Sequence, residues 1–317
     1  MTKVFIDGGA GTTGLRIYER LEVRKDLELI TLPDELRKDP EAKKEAFASA
    51  DIAFLCLPDA AAIEAAGLAG DTVIIDTSTA HRTAPGWVYG FPELKGQAER
   101  IAKSSRIANP GCHASGFVSL VAPLVAEGLV AKDTALTCFS VTGYSGGGKK
   151  MIADYEAESR TDLAEEGSLD PLDSPKQYGL TQSHKHLPEM QKICGLDIAP
   201  VFCPIVADFY SGMTVTVPLF KKDLKGTTAE IEEVYRNWYS GNLVHFELCP
   251  EGGVYGNMMS GADDMIVTVS GNEERILLIS CFDNLGKGAS GAAIQNMNIV
   301  LGLPQETGLT IKNGGSL

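Results

Sequence analysis

KVFIDGGAGTTG, residues 3–14, stands near the start of the chain and decides its fold. Its first half is an apolar run typical of a β-strand, and its second half is a glycine-rich turn. A helical pattern follows over 15–22, and a second apolar run, LELITL, occupies 27–32. Strand, glycine turn, helix and strand in this order predict the first βαβ unit of a doubly wound parallel sheet.

The glycines of this turn, Gly8, Gly11 and Gly14, have the spacing GxxGxxG. A turn that follows a first strand and opens a helix places backbone N–H groups where a pyrophosphate can bind. The sequence therefore predicts a nucleotide-binding turn. The alternative is a strand-to-helix turn that binds no ligand.

The segment after the second strand bears on which nucleotide binds. An acidic residue there would hold the ribose 2′-hydroxyl of NAD, but the chain has Leu32 and Pro33, with Arg37 and Lys38 soon after. This favours NADP. The alternative is that both basic residues belong to a solvated helix face in DELRKDPEAKKE.

The character of the strands changes along the chain. Before residue 116, near-continuous apolar strands at 51–58 and 72–76 alternate with helical patterns, which indicates a parallel sheet covered on both faces. Later strands are longer and partly alternating, as in an α+β domain, and lie at 135–144, 199–206, 213–220, 264–271 and 276–284. A last helix is predicted over 288–301.

These patterns predict an α/β plus α+β architecture with two domains. The first is a Rossmann-type nucleotide-binding domain over 1–112 plus 285–317, to which the last helix returns. The second is a mixed-sheet domain over 113–284, to which the family resemblance given below adds a catalytic and dimerisation role. The acidic stretch 156–175 is predicted to be a surface loop.

Composition and net charge limit the classes to which the protein can belong. The chain has 317 residues, 44% of them hydrophobic, and lacks the apolar run of about 18 residues that a membrane helix needs. No leader pattern precedes the first strand, so a soluble, cytoplasmic protein is expected. With 28 basic and 42 acidic residues the net charge is −14, which argues against nucleic acid or an anionic membrane as partner.

One cysteine differs from the other six. The seven cysteines form no CxxC pair and no Cys/His metal spacing, which predicts free thiols without a metal site. NPGCHASG, residues 109–116, places Cys112 directly behind Pro110-Gly111, at the predicted start of a helix. A helix amino end stabilises a thiolate, so Cys112 is the predicted nucleophile. The alternative is a buried structural cysteine.

A thiolate nucleophile needs a partner that handles protons. His184 and His186 in SHKHLPE would share a face of an extended segment, just before a helix that begins near Pro188. Either one is a candidate acid/base, and the alternative is a surface pair. His113 is expected to point away from the thiol and to be structural, and His245 to pack within a strand.

Positive charge for an anionic substrate has two candidate sources. Arg82 in DTSTAHRT follows the fourth strand, at the edge where α/β proteins bind ligands. Lys149 and Lys150 follow the glycine cluster of TGYSGGGKK. For the lysines the alternative is a flexible hairpin loop with solvated side chains.

Several segments together resemble one family. They are the amino-terminal glycine turn, NPGC, YGFPEL (89–94), TGYSGGGKK, HKHLPE (184–189) and DNLGKGASGAAIQNMNIVLG (283–302). Their order and spacing resemble the shorter form of N-acetyl-gamma-glutamyl-phosphate reductase of arginine biosynthesis, over most of the chain. That family belongs to a larger group with aspartate-semialdehyde and glyceraldehyde-3-phosphate dehydrogenases, whose fold the resemblance implies here.

The resemblance also implies a reaction. Cys112 would attack the acyl phosphate of the small-molecule substrate and form a thioester, and His184 or His186 would serve as acid/base. NADPH would deliver hydride, and the thiohemiacetal would release the semialdehyde. Relatives associate through the sheet of the catalytic domain, which implies a homodimer or homotetramer.

The resemblance further implies binding roles for residues at positions that match the family's motifs. The implied cofactor-binding residues are Gly8, Gly11, Thr12, Thr13, Gly14, Arg37, Ser78 and Asn284. The implied substrate-binding residues are Arg82 and Lys149. The chain departs from the longer form of the family, since His113 replaces an aromatic residue and Ala80-His81 replaces an Asp-Phe pair.

Two other functions compete with this one. An aspartate-semialdehyde dehydrogenase, or another acyl-phosphate reductase, would use the same chemistry on a different substrate. A nucleotide-sensing protein would keep the fold without catalysis. The two semialdehydes distinguish the enzymes, and a Cys112→Ser substitution distinguishes an enzyme from a sensor.

Overall fold

The computed structural model describes residues 1–9, 11–160 and 170–312, apart from the side chain of Thr12. Over this range the chain forms two compact units. The first unit comprises Met1–Gly111 and Ala289–Thr310. The second comprises Cys112–Gly288 together with Ile311 and Lys312.

These bounds differ from the expected 1–112 plus 285–317 and 113–284. Residues 285–288 fall in the second unit, because the Asp283 carboxylate accepts hydrogen bonds from the N–H groups of Leu285 and Gly286. Ile311 and Lys312 also fall there, since the N–H of Lys312 donates to Asp264 at 3.1 Å. The functions assigned to the two domains remain predictions.

The first unit is built on a six-stranded parallel sheet with the strand order β2-β1-β3-β4-β6-β5. Its strands are β1 (Thr2–Asp7), β2 (Leu27–Ile30), β3 (Ile52–Leu55), β4 (Val73–Asp76), β5 (Val88–Tyr89) and β6 (Arg106–Ala108). Its helices are α1 (Thr12–Leu21), α2 (Pro40–Ser49), α3 (Asp59–Leu68), α4 (Gln97–Ala102) and α9 (Gly291–Val300). The order reverses at β1, so the turn after β1 lies at the topological switch point where such sheets bind ligands.

Both faces of this sheet are buried, as the apolar strands predict. Val4 and Ile6 of β1 belong to one hydrophobic cluster, and the intervening Phe5 belongs to another. Ile294 and Met297 of α9 pack in the first cluster, which confirms that the last helix returns to this unit. The helix is shorter than predicted, because a π-helical turn, Gly286–Ser290, precedes it.

The second unit contains a seven-stranded mixed sheet with the order β11-β12-β13-β10-β7-β9-β8. Its strands are β7 (Thr137–Gly143), β8 (Lys176–Gln177), β9 (Val201–Ala207), β10 (Met213–Phe220), β11 (Val244–Phe246), β12 (Met265–Gly271) and β13 (Arg275–Phe282). The pairs β7–β9 and β11–β12 are parallel, and the other neighbours are antiparallel. The predicted fold class, α/β plus α+β with a mixed sheet, is confirmed.

The helices of the second unit position the cysteine. They are α5 (Cys112–Ala126), α6 (Gly148–Tyr155), α7 (Leu187–Cys194) and α8 (Thr228–Trp238). Helix α5 packs on β10 and β13 and contacts α7 and α8, and every residue from His113 to Leu124 is buried. Tyr235 of α8 donates a hydrogen bond to the carbonyl of Leu120 at 2.6 Å, which fixes α8 against α5. A helix held on this many sides gives its first residue a defined position.

The predicted surface loop 156–175 is described only at its ends, since 161–169 lie outside the described residues. Pro171–Asp173 forms a 3₁₀ turn. The Arg160 guanidinium donates to Asp170 at 2.7 Å and to Asp173 and Asp208 at 2.8 Å each. This network anchors both described ends of the loop.

In the described part of the chain, no helix combines the length and the apolar character needed to cross a bilayer.

Candidate active site

The predicted nucleophile, Cys112, is the first residue of α5 and is half-buried. The N–H groups of a first helical turn carry positive partial charge and stabilise an anion placed there. Such a position favours the thiolate form of a cysteine. The helix start that the sequence predicts at this residue is confirmed.

Three of the other cysteines, Cys138, Cys194 and Cys281, are buried, and Cys56 is half-buried as a residue with a buried thiol. Burial raises the pKa of Cys56 and Cys281 to about 12 and also raises the pKa of Cys138 and Cys194. Thiols of this kind stay protonated near neutral pH and are poor nucleophiles. All seven cysteines are free, as their spacing predicts.

Gly288 lies directly against Cys112. A Cβ atom at Gly288 would be 2.9 Å from the Cys112 Cβ and 3.1 Å from the carbonyl oxygen of Asp283. Real Cβ atoms do not approach this closely, so any side chain at residue 288 would displace the cysteine. The second glycine of the DNLGKG segment therefore leaves the space that Cys112 occupies.

Three histidines of the second unit form one cluster. The ring centroid of His113 lies 5.9 Å from that of His184 and 5.5 Å from that of His186, and the latter two are 4.8 Å apart. The ring of Phe202 lies 5.2 Å from His113 and 5.1 Å from His184. The structure thus adds His113, the residue next to Cys112, to the pair that the sequence predicts.

The environment disfavours charge on two of these rings, His113 and His184. Burial, helped by His184 and Lys185, lowers the pKa of His113 to about 3, and burial together with Lys185 also lowers the pKa of His184. Both ring nitrogens of His113 are occupied, Nδ1 at 2.6 Å from Ser140 Oγ and Nε2 at 2.8 Å from Tyr178 Oη. A base needs a reachable lone pair, so His113 is a poor acid/base.

The segment that carries His184 and His186 is not extended, contrary to the sequence prediction. Lys185 and His186 form a turn, and His186 has helical dihedral angles and caps α7. The N–H of His186 donates to His184 Nδ1 at 3.2 Å. This local hydrogen bond folds the turn, and it brings the two rings together although they do not share the face of a strand.

Asn284 connects two loops of the second unit. Its Oδ1 accepts a hydrogen bond from the N–H of Gly212 at 2.8 Å, and its Nδ2 donates to Ser145 Oγ at 3.0 Å. Lys149 is exposed in the first turn of α6, so the TGYSGGGKK segment ends in a helix and not in a hairpin loop. The cofactor role of Asn284 and the substrate role of Lys149 remain predictions.

In the first unit, two glycines of the turn lie in close contact with neighbouring backbone. Gly8 has a φ of +90°, and a Cβ there would lie 2.3 Å from the carbonyl oxygen of Cys56. A Cβ at Gly14 would lie 2.6 Å from the carbonyl oxygen of Gly8, so α1 packs closely on the turn. Gly11 caps α1 without a side-chain hydrogen bond, which leaves the first N–H groups of the helix available to an anion. Thr13 is half-buried in the first turn, and the side chain of Thr12 lies outside the described residues.

The segment after β2 carries the predicted contact to the 2′-phosphate. Arg37 is exposed and forms an ion pair with Asp34. It lies in a turn before α2, which begins at Pro40 with Asp39 as its cap. The alternative, a helix face that includes residues 37 and 38, is wrong because the cap and the proline start the helix later.

A polar cluster lies where β4 ends. The fully buried Asp76 accepts hydrogen bonds from the N–H of Ser78 at 3.0 Å, from Ser78 Oγ at 2.6 Å and from His81 Nδ1 at 2.6 Å. The ring of His81 stacks on Trp87 with 3.9 Å between centroids. Arg82 is buried and donates to the carbonyl oxygens of Asn109 at 3.0 Å and Thr77 at 3.1 Å. Ser78 and Arg82 therefore form hydrogen bonds with other residues of the protein.

Sequence reasoning missed several residues of these clusters. The sequence could have indicated Asp76, since it is the polar residue at the carboxyl end of an apolar parallel strand. No local sequence pattern indicates Ser140, Tyr178 or Gly288, because only tertiary packing brings them to His113 or Cys112. Tyr178, for example, bonds to a residue 65 positions away in the chain.

Two family models match the chain. Residues 3–104 match the NAD-binding domain of semialdehyde dehydrogenase, and residues 112–284 match its dimerisation domain. The first unit thus carries a nicotinamide-dinucleotide-binding domain, and the second carries a dimerisation domain.

Relatives and a solved structure agree with this match. The N-acetyl-gamma-glutamyl-phosphate reductase 2 of Nostoc is 43% identical over 97% of this chain and 99% of its own length. The N-acetyl-gamma-glutamyl-phosphate reductase of Brucella ovis is 45% identical over 95% of this chain and 99% of its own. The crystal structure of aspartate semialdehyde dehydrogenase II from Vibrio cholerae has the same fold, with a TM-score of 0.72 and 17% identity over 95% of this chain and 98% of that one. The chain belongs to the semialdehyde dehydrogenase family and, within it, to the N-acetyl-gamma-glutamyl-phosphate reductases.

Proposed function

We propose that this protein reduces N-acetyl-L-glutamyl 5-phosphate with NADPH to N-acetyl-L-glutamate 5-semialdehyde and phosphate, a step of arginine biosynthesis. The observation that carries the proposal is a thiol at the amino end of α5, followed directly in the chain by His113, which belongs to the cluster of three histidines. The family membership supports the substrate. A thiolate is a strong nucleophile towards an acyl phosphate, and the resulting thioester can be reduced.

The first step uses Cys112. Its thiolate attacks the acyl carbon, so that a sulfur–carbon bond forms and the bond to the phosphate oxygen breaks. Phosphate leaves with the electron pair, and a thioester remains on the cysteine. The α5 amino end favours the thiolate before the attack and again when it is released as the leaving group.

We assign the acid/base role to His184, with His186 as its positioning residue. His184 is half-buried, whereas His186 is only 5% exposed, and a group that exchanges protons with a substrate must be reachable. Because His184 Nδ1 accepts from the N–H of His186, the neutral ring carries its proton on Nε2. That N–H can donate to the negative oxygen that develops when the acyl carbon becomes tetrahedral.

The glycine turn fits a dinucleotide. Gly8 and Gly14 keep the turn close to the sheet, and the uncapped start of α1 offers N–H groups to the pyrophosphate. NADPH, when bound, supplies the hydride that reduces the thioester. A preference for NADP over NAD is supported by the lack of an acidic residue at Thr31–Pro33 and by Arg37, whose partner Asp34 a 2′-phosphate can replace.

Arg82 and Lys149 are the proposed contacts to the anionic groups of the substrate. The guanidinium of Arg82 offers five N–H donors, and its bonds to Thr77 and Asn109 hold it rigidly where β4 and β6 end. Asn109 leads along the chain into Cys112, so Arg82 also steadies the segment before the nucleophile. Lys149 is exposed and adds charge at the start of α6.

We propose that the protein is a homodimer or a homotetramer. Neighbouring strands of the mixed sheet expose Phe139, Val201 and Phe220 by 44%, 54% and 58%, and the register of β7 with β9 and β10 puts them on one face. An exposed apolar face of this kind suits a second copy of the chain. Phe139→Asp should yield monomers in sedimentation velocity, and a monomeric wild-type protein would contradict the proposal.

The test of the reaction runs in the reverse direction. The protein is mixed with phosphate, NADP and either N-acetyl-L-glutamate 5-semialdehyde or L-aspartate semialdehyde, and NADPH is followed at steady state. The proposal expects turnover of the first aldehyde, loss of activity in Cys112→Ser, and normal activity in the control Cys249→Ser, which alters another half-buried cysteine. Preference for aspartate semialdehyde would contradict the substrate, and an active Cys112→Ser would contradict covalent catalysis.

A further inference from the structure

One buried carboxylate joins three segments of the second unit. Asp283, which follows β13, is 3% exposed. Its Oδ1 accepts hydrogen bonds from the N–H groups of Leu285 at 2.7 Å and Gly286 at 3.3 Å. Its Oδ2 accepts from Ser211 Oγ at 3.0 Å and from the N–H of Gly261. Both oxygens are therefore bonded, one to the turn that follows Asp283 and the other to two loops.

The turn that follows Asp283 is buried. Every residue from Asp283 to Gly288 is shielded from solvent, and a Cβ at Gly286 would overlap the carbonyl oxygen of Ala262. A buried N–H that lacks an acceptor is unfavourable. The conformation of this turn therefore depends on the Asp283 carboxylate, which accepts from two of its N–H groups.

The next side chain continues the attachment to the loop before β10. The ladder between β10 and β13 ends with the pair Met213 and Phe282. Beyond that pair, Asn284 Oδ1 accepts from the N–H of Gly212 at 2.8 Å, while Asp283 accepts from the residue before this glycine. Two adjacent side chains thus hold two adjacent loop residues, which fixes the direction in which the chain leaves β13.

The same turn carries the glycine that lies against the nucleophile. The N–H of Gly288 donates to the carbonyl oxygen of Asp283 at 3.0 Å. A Cβ at Gly288 would lie 2.9 Å from the Cβ of Cys112 and 3.3 Å from the ring of Phe282. Because Gly288 lies directly beside Cys112, a shift of the turn either moves the cysteine or removes its support.

We propose that Asp283 is a positioning residue of the reductase. Its carboxylate fixes the turn 284–288, and the turn, through Gly288, fixes the place of Cys112 at the start of α5. The proposal rests on the proposed function, in which Cys112 is the nucleophile. Attack on an acyl carbon needs the sulfur about 3–3.5 Å away, and a displacement of about 1 Å can lower the rate about 10²-fold. Asp283 acts through the backbone of the turn and not on the substrate.

The experiment compares two variants of the full chain in the turnover of N-acetyl-L-glutamate 5-semialdehyde with phosphate and NADP. Asp283→Ala removes both acceptor oxygens and should lower kcat about 10- to 100-fold, with each KM within about twofold of wild type. Asp283→Asn should restore most of the activity and leave kcat lower by about threefold. Its amide oxygen can still accept from the turn and its NH₂ group can donate to Ser211, so that only the bond from Gly261 is lost.

The matched control is Asp170→Ala. Asp170 is also a buried aspartate of the second unit, and it accepts from the N–H of Leu172 in its own turn at 2.9 Å. This variant should keep the wild-type kcat. An equal fall of kcat in the control would assign the loss to general destabilisation and would overturn the proposal.

Hydrogen exchange tests the turn without substrate. The N–H groups of Leu285 and Gly286 should exchange about tenfold faster in Asp283→Ala than in the wild type. A folded Asp283→Ala with wild-type kcat or wild-type exchange would overturn the proposal, as would equal losses of kcat in the alanine and asparagine variants. If the alanine variant does not fold, wild-type kcat in Asp283→Asn overturns it.

The two proposals can fail separately. A wild-type protein that does not turn over the semialdehyde would overturn the proposed function and, with it, the positioning role. An active wild type whose Asp283 variants keep the full kcat would overturn the positioning role alone.

Discussion

The two units surround their histidines with different groups. In the first unit, His81 donates from Nδ1 to the fully buried carboxylate of Asp76 and stacks on Trp87. In the second, the His113 ring bonds to the hydroxyl oxygens of Ser140 and Tyr178 and lies among two other imidazoles and Phe202. A carboxylate fixes the tautomer and orientation of the His81 ring, whereas burial lowers the pKa of His113 and His184. The difference shows that the histidine directly after Cys112 is held by neutral hydroxyl partners, whereas His81 is held by a carboxylate.

The largest effect is expected from the neutral cluster. His184→Asn should lower kcat about 10²- to 10⁴-fold, because the group that serves the developing oxyanion is lost. Steady-state turnover of the semialdehyde with phosphate and NADP measures it. The control is His245→Asn on β11, at the opposite edge of the same sheet. Equal activity of both variants would contradict the role of the cluster.

A smaller loss is expected when the thiol is moved without changing the histidines. Gly288→Ala should lower kcat by up to about 10²-fold, since its Cβ would push against Cys112 and a shift of about 1 Å can cost that much. Gly241→Ala is the control, because a Cβ there meets no atom within 4 Å. Wild-type kcat in Gly288→Ala would show that the cysteine tolerates displacement.

The carboxylate environment of the first unit can be tested through stability. Asp76→Asn should lower the free energy of unfolding by about 2 kcal/mol. One carboxylate oxygen accepts from Ser78 Oγ and His81 and the other accepts from the N–H of Ser78, and an amide nitrogen cannot accept the bond at its position. Urea unfolding measures the loss. The midpoint of the pH profile for alkylation of Cys112 by iodoacetamide should stay unchanged, and a shifted midpoint would show that the two environments are coupled.

Taken over a single pH unit, the smallest effect is the pH dependence that His113 gives to stability. Its pKa is about 3 in the folded protein against an ordinary value of 6.5, so below pH 6.5 the unfolded chain takes up a proton that the native ring refuses. The stabilisation is present above pH 6.5 and is lost as the pH falls towards 3, by about 1.4 kcal/mol per pH unit. His113→Gln should unfold with a shallower pH dependence in this window. An equally steep dependence in the variant would assign the effect to other groups.

The first unit was the easier to predict because its signals are local. The apolar runs of β1, β3 and β4 and the glycine turn after β1 each lie within a few residues, and the doubly wound sheet follows from their alternation. The observed helix starts differ from the predicted ones at two places. Asp39 caps α2, so that helix begins at Pro40, and the π-helical turn Gly286–Ser290 precedes the last helix, which therefore begins later than predicted.

The surroundings of Cys112 could be predicted only in part. The NPGC segment and the two histidines of HKHLPE are visible in the sequence because their chemistry shows in adjacent residues. The contacts of His113 with Tyr178 and of Cys112 with Gly288 depend on how β7, β8 and the 283–288 segment meet around α5. Nothing local distinguishes those partners from other tyrosines and glycines.

The central claim is that Cys112 carries the substrate as a thioester, and trapping that species tests it most directly. The protein is mixed with N-acetyl-L-glutamate 5-semialdehyde and NADP without phosphate, so that the acyl group has no acceptor, and the intact protein and its peptides are weighed by mass spectrometry. We expect one acyl group per chain, located on Cys112, together with one NADPH per chain. A full burst of NADPH without an adduct, or with the adduct on another residue, would contradict the account.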